Sequence, residues 1–167
     1  MWIAVGLTLL TAALWLIFYN PFARNLSQKD FPRILENLLT RTENGGFCRF
    51  DFQDSPYWFS IERLSGSGRT AVLALRVPRQ DWTIEAVRSL KDAFSAQGFK
   101  WHNEDDNPSL LGKVHIPVDD IWSSSAAASG AHAARIYCQA LQIPTAARLK
   151  VEEGGCRTKE WWEHRLN

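Results

Sequence analysis

Thiol and imidazole side chains are the groups in this sequence that could act together as a nucleophile and its base. Cys48 and His115 fall on separate predicted strands, and residues far apart in sequence do meet in folded proteins to form thiol–imidazole pairs. Such a contact across a sheet would activate the thiol. No spacing ties the two residues to each other, so the sequence does not predict a catalytic site.

A metal or phosphate site would need several ligands brought to one place. The four histidines fall on different predicted elements, with no His-x-x-x-His or His-Glu-x-x-His spacing to place two on one face; they are His102, His115, His132 and His164. The acidic loop Glu104-Asp105-Asp106 lacks the alternation and the glycine of a calcium loop. The turn Ser65-Gly66-Ser67-Gly68 carries no lysine, which indicates a hairpin loop rather than a phosphate cradle. We therefore predict no enzyme, no metal and no cofactor.

The charge balance of the chain excludes one large class of partner. Nineteen basic and eighteen acidic residues give a net charge of +1, and the basic residues are dispersed. This pattern is not the footprint of a nucleic-acid-binding protein. Eight Trp and nine Phe are many for 167 residues, which favours aromatic contact surfaces for protein partners.

The first stretch of the chain has the character of a membrane helix. No charged side chain occurs from Trp2 to Ala23, and Trp2 to Tyr19 is almost wholly apolar. In a helix, 18 to 20 residues reach roughly 27 to 30 Å, about the thickness of the hydrocarbon core. Asn20-Pro21 would end the helix. We predict a transmembrane helix over residues 1–23, lying in the lipid bilayer.

Two other interpretations account for this stretch less well. A secretory signal peptide has a basic first segment and a small-residue cleavage site, whereas nothing basic precedes this apolar run and Pro21-Phe22-Ala23 is a poor site. A buried core helix of this length rarely lacks all charge. Both are weaker explanations than a membrane span.

The orientation of the predicted span follows from the positive charges. Only the α-amino group precedes the helix, whereas Arg24, Lys29, Arg33 and Arg41 follow it. The positive-inside rule then places the N-terminus outside and the C-terminal domain in the cytoplasm, with the chain in the inner (plasma) membrane. Three widely spaced cysteines agree with a reducing compartment.

The remaining residues have the size of one domain, which we assign to 24–153. Apolar periodicity and turn residues predict an α+β fold of order α-βββ-α-ββ-α, with a five-stranded, mostly antiparallel sheet. The first helix has Asp30 as its cap and Asn44-Gly45-Gly46 as its stop, and the last begins at an Asp119-Asp120 cap. The predicted helices are Leu26–Arg41, Thr83–Gln97 and Asp119–Gln142; the predicted strands are Phe47–Phe52, Tyr57–Leu64, Thr70–Val77, Phe99–Asn103 and Lys113–Pro117.

Three features of these elements bear on packing. The run Ala71 to Leu75 is apolar on both faces, which predicts the central strand. The last helix is rich in Ala, Ser and Gly, so another backbone can approach it closely, either within the domain or in a helix–helix dimer. The apolar face of the first helix would pack on the core or, alternatively, lie on lipid.

The element order and several segments of this chain resemble a known group of bacterial domains. The segments are Tyr57-Trp58-Phe59-Ser60-Ile61, Ala71 to Leu75, Leu90 to Phe94 followed by Gly98-Phe99-Lys100-Trp101, the Ala-rich helix, and Gln142-Ile143-Pro144. Together they are similar to the TY-Chap group, whose fold is related to that of type III secretion chaperones, over Phe31 to Val151. The resemblance implies an α+β domain that binds another polypeptide and catalyses nothing. The predicted membrane helix in front departs from that group.

Two sets of residues are candidates for binding a partner. Ala4, Thr8 and Ala12 stand at i, i+4 and i+8 and form one stripe of small side chains on the predicted membrane helix, where a neighbouring helix could pack closely. Trp161 and Trp162 lie among charges in a tail of residues 154–167 behind Gly154-Gly155. This tail would anchor the chain to a partner or to the membrane interface, or fold back onto its own domain.

These observations support a functional hypothesis. We expect a non-catalytic, single-pass accessory or scaffold subunit whose partners are integral membrane protein subunits and the bilayer, with no nucleic acid and no small-molecule substrate. The layout is similar to that of the H subunit of bacterial photosynthetic reaction centres, although no motif is shared, which makes photosynthetic or respiratory complexes candidates. The alternative is a membrane-tethered chaperone- or immunity-type module that binds a soluble polypeptide.

Overall fold

The computed structural model describes residues 26–66 and 69–156. After a 3-10 turn at Gln28–Asp30, the order along the chain is α-βββ-α-ββ-α-β. The elements are α1 (Phe31–Arg41), β1 (Thr42–Phe52), β2 (Trp58–Ser65), β3 (Ala71–Pro78), α2 (Ile84–Ala96), β4 (Trp101–Asn103), β5 (Leu110–Val118), α3 (Ser124–Ala140) and β6 (Leu149–Cys156). The α+β class and the three helices of the predicted domain are confirmed. The predicted membrane helix over residues 1–23 lies outside the described residues.

None of the helices in the described ranges has the length and apolar character needed to cross a membrane.

The sheet has six antiparallel strands in the order β4-β5-β3-β2-β1-β6, not the five that the sequence predicts. The additional strand is β6, which pairs with β1 along its length. It runs through Gly154 and Gly155, where the predicted tail begins. In β6 the apolar residues Leu149 and Val151 alternate with the charged residues Lys150 and Glu152, as expected for a strand. The acidic pair Glu152-Glu153 and the two glycines after it have low strand propensity and obscure this alternation. Pairing with β1 compensates for this low strand propensity.

The first helix ends at Arg41, as predicted, but its stop is not the predicted one. Thr42 is extended, with φ −111° and ψ 153°, and its hydroxyl donates to the Leu38 carbonyl. The chain then enters β1 directly, and the predicted stop at Asn44-Gly45-Gly46 lies inside that strand. The pairing register of β1 with β6 shifts between Thr42 and Phe47, where Gly45 has a φ of +90°. A glycine tolerates this left-handed conformation, so the predicted helix stop is a strand irregularity instead.

The last helix begins later than predicted. Ser123 has extended dihedral angles and its hydroxyl accepts from the Ser125 N–H at 3.2 Å, so Ser123 caps α3. The expected Asp119-Asp120 cap is wrong, because Asp120 is engaged elsewhere. It accepts from the Trp122 N–H at 3.1 Å and forms an ion pair with Arg69.

All three helices pack on one face of the sheet. Ala71, Leu73, Leu75 and Val77 of β3 are at most 4 % exposed and belong to the core that the helices share with the sheet. Helix α3 crosses this face with its small residues inward. A Cβ on Gly130 would lie 3.0 Å from Leu35 of α1, so close packing within the domain, rather than a helix–helix dimer, explains these small residues.

The hydroxyl of Tyr137 on α3 donates to the Trp58 carbonyl at 2.8 Å and fixes the helix to β2. Burial raises the pKa of this phenol well above its usual range, so it is a neutral donor. An aromatic cluster of Phe31, Phe50 and Phe59 fills the space beneath α1, with Phe50 and Phe59 stacked at 4.8 Å. Helix α1 therefore packs its apolar face on this core, which is the first of the two alternatives predicted for it, the other being contact with lipid.

Candidate functional site: the helix-free face of the sheet

The face of the sheet opposite the helices is the candidate site. Successive side chains of a strand point to opposite faces, and directly paired residues share a face. Ala74 of β3 shows this, since it is fully buried yet does not belong to the core beneath the helices. We call this surface the helix-free face. It carries Phe47, Arg49, Asp51, Trp58, Ser60, Glu62, Val72, Ala74, Arg76, His102, Lys113, His115, Pro117, Lys150 and Glu152.

Arg49 organises one half of the helix-free face. Its Nε donates to Asp51 Oδ2 at 3.0 Å and its Nη2 to Asp51 Oδ1 at 2.9 Å, while the guanidinium carbon lies 3.8 Å from the centroid of the Trp58 ring. Asp51 and Trp58 are direct partners across β1 and β2. Two charge-assisted hydrogen bonds and a cation–π contact hold a planar cation on an aromatic surface. This half is a rigid cationic–aromatic platform.

An ion pair occupies the middle of the helix-free face. Arg76 Nη1 of β3 lies 2.6 Å from Glu62 Oε2 of β2, and the two side chains are only 32 % and 19 % exposed. Glu62 is the direct strand partner of Ala74, and the side chains of the ion pair cover Ala74. Because the charges compensate each other at close range and are partly shielded, the pair adds shape and polarity without net charge.

Two histidines stack in the other half of the face. The rings of His102 on β4 and His115 on β5 have centroids 4.8 Å apart, and Nε2 of His115 is buried without a hydrogen-bond partner in the described structure. Burial, then the neighbouring His102 and Lys113, lower the pKa of His115. The neutral imidazole is therefore the form that this site favours.

Lys113 is held beside this histidine pair. Its Nζ lies 2.6 Å from Glu104 Oε1 in the loop between β4 and β5. The hydrogen bond from Lys113 lowers the pKa of Glu104. Glu104 of the predicted acidic loop is thus the ion-pair partner of a lysine.

The predicted separation of the histidines is wrong for one pair. His102 and His115 reach the same face because Trp101 pairs with Val114 and His102 with Lys113, which sets His115 diagonally across from His102. A search for ligand spacings along the chain does not detect such a pair, since the register of two strands creates it. The sequence indicated this histidine pair only indirectly, because it predicted consecutive strands at Phe99–Asn103 and Lys113–Pro117.

The thiol–imidazole pair considered from the sequence does not form. Cys48 pairs with Ile61 and is buried beneath the helices, whereas His115 pairs with Ala74 on the helix-free face. The sheet itself separates the two side chains. Cys138 is also buried, in α3, and burial raises the pKa of its thiol to about 12, so it is a protonated thiol packed in the core.

The described ranges contain no group of three or more His, Cys, Asp or Glu side chains arranged to hold a metal ion. The candidate partner-binding residues of the predicted membrane helix and tail lie outside the described residues; they are Ala4, Thr8, Ala12, Trp161 and Trp162. Arg49 and Trp58 of the helix-free face were not among the candidates from sequence.

Comparisons of the chain with family models, with curated proteins and with solved structures gave no match. The resemblance to the TY-Chap group stays a prediction.

Proposed function

We propose that this protein is a non-catalytic, single-pass membrane accessory subunit whose α+β domain binds a neighbouring protein subunit through the helix-free face. One observation carries the proposal: this face presents Arg49 fixed by Asp51 and stacked on Trp58, a pre-formed contact surface over which no helix of residues 26–66 and 69–156 lies. Arg and Trp are the residue types most enriched among those that dominate the energy of protein interfaces.

A solvated face is common in antiparallel sheets, so exposure alone would not support an interface. The rigidity of this face is the distinguishing feature. A side chain that is already held in one rotamer loses little entropy when a partner docks, and each immobilised long side chain would otherwise cost about 0.5–1.5 kcal/mol. Arg49, Glu62 and Arg76 are all held in this way by ion pairs.

The size of the helix-free face also fits a protein partner. Five of the six strands have 8 to 11 residues and β4 has 3, so with about 4.8 Å between strands and about 3.3 Å per residue the face covers roughly 550–600 Å². A standard interface covers about 800 Å² on each partner. The face with its rim is thus large enough for a specific complex, while its neutral charge balance suits another protein better than a nucleic acid.

The predicted span over residues 1–23 gives the proposed setting. It would hold the domain at the cytoplasmic side of the inner membrane, beside integral membrane subunits such as those of photosynthetic or respiratory complexes. The small-residue stripe of Ala4, Thr8 and Ala12 would pack on a partner helix in the bilayer. The helix-free face would then make the second contact with the same assembly.

Purification from native membranes in mild detergent tests the proposal with matched variants. Trp58→Ala and Arg49→Ala should each lower the recovery of stoichiometric membrane partners by roughly tenfold or more, since they remove interface anchors. Trp122→Ala and Arg69→Ala serve as controls, because Trp122 is an exposed tryptophan outside the strands that form this face and Arg69 is likewise ion-paired to an aspartate. Their recovery should equal that of the unmodified chain.

A clean monomer from native membranes would refute the proposal, and so would equal losses for all four variants. A partner recovered from the soluble fraction, and retained by a chain that lacks residues 1–23, would instead identify the membrane-tethered chaperone- or immunity-type module.

A further inference from the structure

The chain enters the domain at one end of the sheet. The carbonyl of Leu26 accepts from the Leu149 N–H at 2.8 Å, and the buried Gln28 amide donates to the carbonyls of Ile143 and Pro144 at 3.1 and 3.0 Å. At this end β1 and β3 finish and β2, β5 and β6 begin. We call it the Leu26 end. The opposite end, which includes Trp122 after β5, is the Trp122 end.

The Leu26 end carries two half-buried aromatic rings beside an exposed aliphatic side chain. The Trp82 ring stacks on Tyr57 at 4.8 Å, and its indole N–H donates to the Pro78 carbonyl at 2.8 Å. Ile84, the first residue of α2, is 74 % exposed. Trp82, Ile84 and Val87 line an open groove of about 410 Å³, whose other lining residues are Arg88, Lys91 and Asp92. Apolar material that covered this isoleucine would remove its side chain from water, which is favourable.

The length of chain before Leu26 restricts what can lie against this end. If the predicted span ends at Tyr19, six residues, 20 to 25, separate it from Leu26. Fully extended, they reach at most about 20 Å. β5 alone is nine residues long, or about 30 Å, so this connecting segment is shorter than the domain. The Leu26 end therefore stays close to the bilayer in which the span sits.

We infer that the Leu26 end rests on the surface of that bilayer, with Trp82 and Ile84 in the interfacial layer of the lipid. The inference rests on the membrane anchor of the proposed function. Tryptophan suits this layer because its ring is apolar and its edge is polar, and here the indole N–H is already satisfied within the protein.

Hydrophobic contact, not charge, drives this docking. Arg79, Arg88 and Arg148 are exposed at the Leu26 end, but Asp81, Glu85 and the Glu104-Asp105-Asp106 loop are near them in sequence or at the same end of the sheet. The opposing charges cancel any strong attraction to anionic lipid. The docking should therefore occur on uncharged phosphatidylcholine and change little with salt.

Fluorescence quenching of the full-length chain in phosphatidylcholine nanodiscs tests the inference. In a Cys156→Ser background, the Ile84→Cys and Trp122→Cys variants are each labelled with an environment-sensitive fluorophore. These two positions are a matched pair, because they are the exposed large hydrophobic residues at the two ends of the described domain. The label at 84 should be quenched several-fold more by spin-labelled lipid than the label at 122, and aqueous iodide should give the reverse order.

Equal quenching of the two labels by lipid, in a chain that co-elutes with nanodiscs, would overturn the inference while leaving the anchor intact. A chain that does not co-elute with nanodiscs would overturn the anchor, and with it the proposed function. Protection of position 84 in native membranes but not in nanodiscs would show that a protein partner covers this surface, and would also overturn the lipid docking.

A second variant checks that the label does not create the effect. Ile84→Asp should fold normally, because its side chain is exposed, and should make Trp82 more accessible to iodide in nanodiscs. Unchanged accessibility of Trp82 would count against contact between this surface and the lipid.

Discussion

Arg63 joins the end of α1 to the beginning of β1. It lies on the helix side of β2, and its Nη1 donates to the Leu39 carbonyl at 2.9 Å and to the Thr42 carbonyl at 2.7 Å. The last carbonyls of a helix have no partner within the helix, so a cation at this position satisfies them and opposes the negative end of the helix dipole.

We predict that Arg63→Ala lowers the free energy of unfolding by about 1–3 kcal/mol, because it removes a hydrogen-bond donor from two partly buried carbonyls. Arg63→Lys should restore part of the loss. Urea denaturation measures both, with Arg69→Ala as control. Arg69 is an exposed, ion-paired arginine, so its removal should have a much smaller effect. A loss for Arg63→Ala no larger than that of the control would contradict the assignment.

His115 makes the stability of the domain depend on pH. Burial lowers the pKa of His115 below the ordinary value of 6.5, so the unfolded chain binds more protons than the folded chain between the two pKa values. The contribution of neutral His115 to the stability of the folded domain is complete above pH 6.5, and it declines as the pH falls toward the pKa of His115 in the folded state.

When the pH is lowered from about 7.5 to about 5.5, the free energy of unfolding of the His115→Gln variant should fall less than that of the unmodified chain. Denaturation midpoints at the two pH values measure the difference. The control is His132→Gln, an exposed residue of α3, which should keep the full pH dependence. The prediction fails if both variants show the same decline.

At the scale of elements, capping decides where α3 begins. Acidic residues at 119 and 120 are good caps by composition, and nothing local ranks Ser123 above them. The choice is tertiary, because the Ile121 N–H donates to the Arg69 carbonyl at 2.7 Å and Asp120 pairs with the Arg69 side chain. These contacts hold residues 120 and 121 against the β2–β3 connection, so the helix starts three residues later.

We predict that Ser123→Ala lowers stability by about 1 kcal/mol, since the Ser125 N–H loses its acceptor. Asp119→Ala is the matched control, because Asp119 is exposed and was an expected cap. Thermal unfolding followed by circular dichroism should separate the two variants. A larger loss for Asp119→Ala would mean that the helix begins where the sequence alone predicts.

Whole-molecule organisation follows from the placement of all three helices on one face of the sheet. This leaves two surfaces with different character: the polar and rigid helix-free face, and the apolar Leu26 end beside the entry of the chain. In the two proposals the first binds protein and the second rests on lipid. The surfaces are perpendicular, so a domain standing on its Leu26 end would present the helix-free face sideways, toward a neighbour in the same membrane.

The sequence determined the features that depend on local periodicity and turn chemistry. The α+β class, the three helices and the central position of β3 follow from apolar residues at helical or alternating spacing, bounded by Gly and Pro. The small residues of α3 likewise predicted a close neighbour, which proved to be α1 and the sheet. These signals lie within single segments, so they can be detected without knowing which segments meet.

Only the tertiary structure decided the features that depend on strand pairing. β6 forms because it can pair with the edge of β1. The two histidines stack because of the register between β4 and β5. Cys48 and His115 are separated because their side chains point to opposite faces of the sheet. The Arg49–Trp58 platform also spans two strands. Pairing contacts join residues far apart along the chain, and shifting a register by one residue would exchange the two faces. The alternation along a strand shows which of its residues share a face, but not which strands become neighbours, so the candidate site is visible only in the assembled sheet.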